Sequence, residues 1–252
     1  MPTYGLIGYP LSHSFSRGYF TEKFAAAGLA ATHRYVNIEI SSLDQIGKKL
    51  EEYSDLVGCN VTIPYKRAII DHLDGLDPLA ARIGAVNTIA FRDGQRIGYN
   101  TDIIGFRDDL LEQLEVRQHS LLRQDPRALI LGTGGASLAV AAALDELGIP
   151  YTYVSRTAGP DRIPYEGVDA TLLLAHPLLV HTTPLGMSPR VDTYPALPYA
   201  ALTERHFCYD LVYNPALTEF MKRSRAAGAA VANGLGMLHK QAEASWAIWN
   251  RE

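Results

Sequence analysis

The chain has 252 residues, 47% of them hydrophobic and 20% charged, and a formal net charge of −4. That composition allows a sizeable core and argues against extended disorder, and without a run of like charges it offers no nucleic-acid footprint. The length suits one large domain or two small ones.

The first hundred residues alternate strand and helix patterns. Tyr4 to Gly8 reads as a short apolar strand ended by Pro10, and the polar loop Ser12-His13-Ser14 leads to a helix through Phe20 and Phe24 that Gly28 stops. His33 to Ile40 reads as a strand, and Ser42-Leu43-Asp44-Gln45 has the spacing of a capping box that opens a helix. Leu56 to Val61 is a third strand, and Asp77-Pro78 is an N-cap followed by proline at the first helical position. Val86–Phe91 and Gln95–Tyr99 flank Asp93-Gly94, a hairpin signal. Strands alternating with helices predict a mostly parallel α/β sheet.

Gln113 to Arg127 is polar, contains Asp125-Pro126 and reads as a boundary region. The alternation then restarts with strand Ala128–Leu131, helix Ala136–Leu147 with Gly148 just past its end, and strand Tyr151–Val154. Leu178–Thr182, Phe207–Val212 and Ala229–Ala232 are further strands. A helix runs from about Thr218 to Gly228, and the last from about Gly236 to Trp249. The apolar stretch Ala128 to Leu144 is broken by Gly132, Thr133, Gly134, Gly135 and Ser137, so it is not read as a membrane span. Cys59 and Cys208 lie in apolar runs without C-x-x-C spacing, and the N-terminus lacks a basic signal-peptide region. Both point to buried thiols in a reducing, cytoplasmic compartment. The eight histidines show no metal-ligand spacing.

Two segments carry chemistry. Gly132-Thr133-Gly134-Gly135-Ala136-Ser137 sits between a strand and a helix, the context of a dinucleotide fingerprint, although Ser137 holds its third glycine position. Glycine turns after strands are also common without a nucleotide. An NAD site places a carboxylate at the tip of the next strand. Here that tip reads Ser155-Arg156-Thr157, and a guanidinium suits a 2′-phosphate, which favours NADP over NAD. The second segment is Asn60-Val61-Thr62-Ile63-Pro64-Tyr65-Lys66, an apolar run ending in polar residues, a proline and a lysine. A lysine at a strand end is a candidate proton donor, although an ordinary surface lysine has the same local sequence.

In order along the chain, these pieces resemble the shikimate dehydrogenase family. Gly8-Tyr9-Pro10 through Ser16 resembles its first substrate loop, and Asn60 to Lys66 its N-V-T-x-P-x-K element. Gly84–Thr88, Gly98–Asp102, Gly132–Ala136, Asp210–Pro215 and Gly234–Leu238 with Gln241-Ala242 resemble the elements that follow. The resemblance implies a two-domain α/β fold. Residues 1–103 and 236–252 would form a mostly parallel substrate domain and 104–235 a Rossmann-like NADP domain, with the last helix packing back on the first. It implies reversible NADPH-dependent reduction of 3-dehydroshikimate to shikimate on the way to chorismate and aromatic amino acids, in a monomer or homodimer.

By the same resemblance Lys66 and Asp102 form the catalytic pair, and Ser14, Ser16, Asn60, Thr62, Asn87, Tyr213 and Gln241 hold the substrate. The cofactor would meet Gly132, Thr133, Gly134, Gly135, Ala136, Ser155, Arg156, Thr157, Leu211 and Gly234. His13 is expected to pack beside its loop. Several positions depart from the family pattern: its S-P-x-x-H-N reads Ser16-Arg17-Gly18-Tyr19-Phe20-Thr21 here, and Ser155 and His181 stand where asparagine is usual. Two rivals stay open, a dual quinate/shikimate dehydrogenase using NAD and a non-catalytic nucleotide sensor on the same fold.

Overall fold

Residues 1–11, 15–121 and 126–251 are described in the computed structural model. Ser14 and His13 lie outside them. The chain divides into two units, Met1–Thr101 with Ala242–Glu252, and Asp102–Gln241.

The first unit contains β1 (Thr3–Gly8), α1 (Phe15–Ala26), β2 (Arg34–Glu39), α2 (Ile46–Glu51), β3 (Leu56–Val61), β4 (Gly75–Leu76), α3 (Pro78–Ile83), β5 (Thr88–Arg92) and β6 (Gln95–Tyr99). Its sheet has the order β2-β1-β3-β5-β6-β4. β1 pairs in parallel with β2 and β3, whereas β5 runs antiparallel to β3 and to β6. The antiparallel pair follows from the turn: Asp93 and Gly94 both take left-handed φ, 49° and 75°, the conformation that lets a two-residue loop match strand twist. β1 is buried along its whole length because apolar side chains cover both faces of the sheet. Ile7, Ile38, Val61, Ile69 and Ile89 share one cluster, and Tyr4, Leu6, Phe20, Phe24, Tyr35 and Trp249 the other. Asp77 caps α3 through Leu79 N, at 2.9 Å, and Gly84 ends it with φ 67°.

The second unit contains α4 (Asp102–Val116), β7 (Ala128–Leu131), α5 (Gly135–Glu146), β8 (Tyr151–Ser155), β9 (Arg162–Pro164), α6 (Ala170–Ala175), β10 (Leu178–His181), β11 (Phe207–Asp210), α7 (Glu219–Ala226) and β12 (Ala230–Asn233). α8 (Leu235–Trp249) begins here, and the division between units falls inside it. The sheet order is β12-β11-β10-β7-β8-β9, with every adjacent pair parallel. The chain winds outward from β7 through β8 to β9 and returns to the other side of β7 at β10. The C-terminal ends of β7 and β10 therefore form the topological switch point, where such sheets bind ligands.

Two local expectations are corrected. Ser42 caps a 3-10 turn, Leu43–Gln45, by accepting from Asp44 N at 3.3 Å, and α2 starts only at Ile46. The polar stretch from Gln113 is not all boundary, because its first four residues complete α4. Leu110 and Leu114 face the core while Glu112 and Glu115 face outward, so the polarity is that of an exposed helix face. Among the described residues no helix is long and apolar enough to cross a membrane, and no group of three or more His, Cys, Asp or Glu could hold a metal ion.

Cys59 and Cys208 are fully buried and unpaired. Burial pushes both thiols up, Cys208 to about 12, which suppresses the reactive thiolate. The native protein is therefore expected to leave Ellman's reagent unreacted at pH 8 and to release two equivalents after denaturation. Fast native labelling of either thiol would contradict this packing.

Candidate active site

In the first unit the segment after β3 is pinned by its backbone. Val61 N donates to Asn87 O at 2.8 Å, Thr62 N to Ile7 O at 2.9 Å, Tyr65 N to Thr62 O at 2.9 Å and Val86 N to Lys66 O at 2.7 Å. The Tyr65 hydroxyl donates to Ile40 O at 2.7 Å. A Cβ on Gly8 would stand 2.5 Å from Thr62 Cγ2 and 3.2 Å from Ile63 O, so the bare glycine at the end of β1 is what lets this segment fold over it. Lys66 and Thr62 are left half-buried. The lysine is thus held by a fixed backbone at a sheet end, unlike a lysine on a solvated helix face.

Beneath it lies a buried polar network. Asn60 Oδ1 accepts from the Tyr35 hydroxyl at 2.8 Å, and Asn60 Nδ2 donates to Ser245 Oγ at 2.9 Å, Thr88 Oγ1 at 3.2 Å and Asn87 O at 3.3 Å. Asn87 Oδ1 accepts from Thr101 N at 2.7 Å while its amide donates to Thr101 Oγ1 at 2.9 Å. Ser245 and Thr88 hydroxyls are 2.8 Å apart. Half-buried Ser16 hydrogen-bonds the Tyr35 hydroxyl, whose ionisation burial makes costly. Networks satisfied this fully hold side chains in one geometry. Both amide hydrogens of Asn60 are committed, so toward a ligand it can only accept, through the second lone pair of Oδ1.

In the second unit the turn after β7 is built for close approach. Gly132 has φ 114°, and a Cβ there would lie 2.7 Å from Thr183 Cγ2 and 2.8 Å from Thr182 Oγ1. Gly134 is the N-cap of α5 with no side-chain cap bond, and Cβ atoms at Gly134 and Gly135 would meet nothing within 4 Å. The first turn of α5 therefore opens onto space, with Thr133 exposed and Ala136 half-buried beside it. Ser137, in the third fingerprint position, is fully buried and satisfies its hydroxyl on Gly134 O at 2.7 Å.

At the end of β8 the Ser155 hydroxyl donates to Thr157 O at 2.5 Å and accepts from Thr157 N at 3.2 Å, a tight turn that leaves Arg156 exposed. Open backbone at a helix start, a projecting guanidinium and no carboxylate at the strand tip fit a dinucleotide carrying a 2′-phosphate.

The remaining candidates also fall in this unit. Gly234 packs so tightly that a Cβ would be 2.2 Å from Leu211 O. Half-buried Leu211 donates its N–H to His181 O at 2.9 Å. Tyr213 is half-buried, which raises its phenol. Asp102 is the first residue of α4 and only 7% exposed, so its carboxylate sits at the positive end of the helix. Gln241, equally buried, donates to Leu238 O at 2.9 Å. α4 and α8 cross closely there, because a Cβ on Gly105 would be 2.6 Å from Met237 O.

The sequence profile of the shikimate dehydrogenase substrate binding domain matches residues 6–89. The shikimate dehydrogenase (NADP(+)) of Moorella thermoacetica is 38% identical over 262 residues, covering 97% of this chain and 86% of that protein. The chain belongs to the shikimate dehydrogenase family. Among solved structures, shikimate 5-dehydrogenase from Thermus thermophilus in complex with NADP(H) and shikimate superposes with a TM-score of 0.83 at 32% identity, covering 99% of this chain and 94% of that one. The ligand-free 5-ketofructose reductase of Gluconobacter sp. strain CHM43 gives 0.81 at 28% identity, covering 99% and 92%.

Of the residues the shikimate dehydrogenase resemblance implies, Ser16, Asn60, Thr62, Lys66 and Asn87 share one end of the first unit's sheet. Asp102, Tyr213, Gln241 and the nucleotide residues belong to the second unit. Sequence reasoning passed over Tyr35, Thr88, Thr101 and Ser245, which frame Asn60 and Asn87. Thr88 and Thr101 stood inside the recognised motifs, but nothing in the sequence marks Tyr35 or Ser245.

Proposed function

We propose that this chain reversibly reduces 3-dehydroshikimate to shikimate with NADPH, serving chorismate and aromatic amino acid synthesis in the cytoplasm. Lys66 is the proton donor and acceptor, and Asp102 is its acid–base partner. The observation that carries the reading is the pinned, half-buried Lys66 beside the Asn60–Asn87 network, in a chain whose curated relatives are named NADP(+) shikimate dehydrogenases. In this proposal residues 1–103 with 236–252 hold the substrate and 104–235 hold the cofactor.

NADPH, when bound, supplies the hydride. Negative charge then develops on the carbonyl oxygen, which the Lys66 ammonium stabilises before releasing a proton from Nζ. In the oxidation direction the neutral amine takes the proton back. Ser14, Ser16, Thr62, Asn87, Tyr213 and Gln241, with one lone pair of Asn60, form a set of hydroxyls and amides. Such groups both donate and accept, which suits a small polyhydroxylated acid. Gly132 to Ala136, Leu211 and Gly234 receive the dinucleotide, and the turn of Ser155, Arg156 and Thr157 receives its 2′-phosphate.

The test is NADPH formation from shikimate and NADP by the purified protein, run beside quinate with NAD and beside 5-ketofructose with NADPH. Turnover of either rival pair in preference to shikimate would overturn the proposal, as would nucleotide binding with no turnover at all. Arg156 carries its own prediction. A charge-assisted hydrogen bond contributes about 1.5–3 kcal/mol, so Arg156→Ala is expected to lower kcat/KM for NADP by roughly 10–100-fold and leave that for NAD within about twofold. An unchanged NADP:NAD ratio would show that another group reads the phosphate.

A further inference from the structure

His181 departs from the family's usual asparagine and has no part in the proposed reaction, yet it is fully buried at the switch point. It is the last residue of β10, flanked in register by Leu131 of β7 and Asp210 of β11. Its Nδ1 lies 2.9 Å from Asp210 Oδ1 and its Nε2 2.5 Å from Thr183 Oγ1, with the Phe220 ring packed against it at 5.2 Å.

The direction of these bonds follows from Asp210. That fully buried carboxylate also accepts from Val212 N at 3.0 Å and from the Thr218 hydroxyl at 2.5 Å. A carboxylate only accepts, so Nδ1 carries the hydrogen, and in that tautomer Nε2 is the ring's acceptor. The Thr183 hydroxyl must then donate to it. The neighbouring Thr182 is set by the main chain instead, since its N–H and its hydroxyl both donate to Leu131 O at 2.9 Å. Thr183, half-buried, leans on the cofactor turn at Gly132.

We infer that His181 is a positioning residue for the nicotinamide half of the cofactor. Oriented by Asp210, it fixes the Thr183 hydroxyl, whose oxygen already accepts from Leu185 N at 3.3 Å, so that the remaining lone pair is offered at the switch point to a donor, a ribose hydroxyl or the carboxamide NH₂. The half is assigned by the sheet order. Arg156 takes the adenosine end on the β8 side of β7, so the rest of the molecule runs toward β10 and β11. The inference rests on the NADP(H) reading above.

The experiment is direct binding to the full chain, by fluorescence titration with NADPH and competition with 2′,5′-ADP, which contains only the adenosine half. His181→Asn keeps an N–H for Asp210 and removes the Nε2 acceptor, while Thr183→Val removes the hydroxyl with little change of volume. Each is expected to weaken NADPH binding about fivefold, the scale of one hydrogen bond, and to leave 2′,5′-ADP affinity and KM for shikimate unchanged. The double variant is expected to be no weaker than either single one, since His181 acts through Thr183. Wild-type affinity for NADPH in both variants, additive losses, or equal loss of 2′,5′-ADP would overturn the inference. Failure of the wild-type protein to bind either ligand would instead overturn the NADP(H) reading beneath it.

Discussion

Lys66→Ala is expected to reduce shikimate turnover by roughly 10²–10⁴-fold, the usual contribution of a positioned acid–base group, while NADPH affinity stays within about twofold of wild type. The lysine lies outside the nucleotide turn, and its backbone bonds to Val86 and through Tyr65 to Thr62 do not depend on its side chain. The substitution removes chemistry without removing the segment. Lys66→Arg separates charge from proton transfer: guanidinium keeps the positive charge but does not give up its proton at accessible pH. It should leave substrate affinity largely intact, as Lys66→Ala does, and restore little of the turnover. Turnover near wild type in Lys66→Ala would remove the lysine from the mechanism, whatever the protein's substrate.

The second large effect is on stability. Gly58 sits in β3 against the indole of Trp249, and a Cβ there would lie 2.1 Å from Nε1 and 2.3 Å from Cδ1. The indole is rigid, 6% exposed, and donates to Ile89 O at 3.0 Å. Gly58→Ala must therefore displace it, losing a buried hydrogen bond and overpacking an aromatic cluster. The combined cost is about 3 kcal/mol, a fall in Tm of roughly 6–12 °C for a chain of this size. Adding Trp249→Leu, which vacates the contested space, should make the pair less destabilised than the sum of the single changes. An unchanged Tm in Gly58→Ala would mean that the indole does not occupy this seat.

The sheets were legible in the sequence where local chemistry is decisive. Asp77-Pro78, Asp93-Gly94 and Gly148 each dictate a cap or turn, and the structure uses all three. β4 and β9 were not legible, since two or three residues carry no periodicity. α4 was hidden because Gly105 dilutes its helical signal, although that glycine is there for the contact with Met237. The candidate site divided in the same way. Lys66, Asp102 and the glycine turn belong to compact motifs, so order along the chain pointed to them. Tyr35 and Ser245 meet Asn60 only through the fold, from 25 residues before it and 185 after it. His181 looked like a loss of asparagine, and its meaning needed Asp210, one strand away.

Trp249, Ile248, Ala242 and Ser245 complete the first unit's aromatic cluster and polar network from the end of the chain. On the ribosome these residues are made after every strand of both sheets. Domains generally fold in the order of their synthesis, but here the first unit waits with Tyr4, Phe20 and Phe24 uncovered until the second has been made. The unit begun first is closed only after the second has been made, and Asn60 acquires its Ser245 partner once the end of α8 has been synthesised.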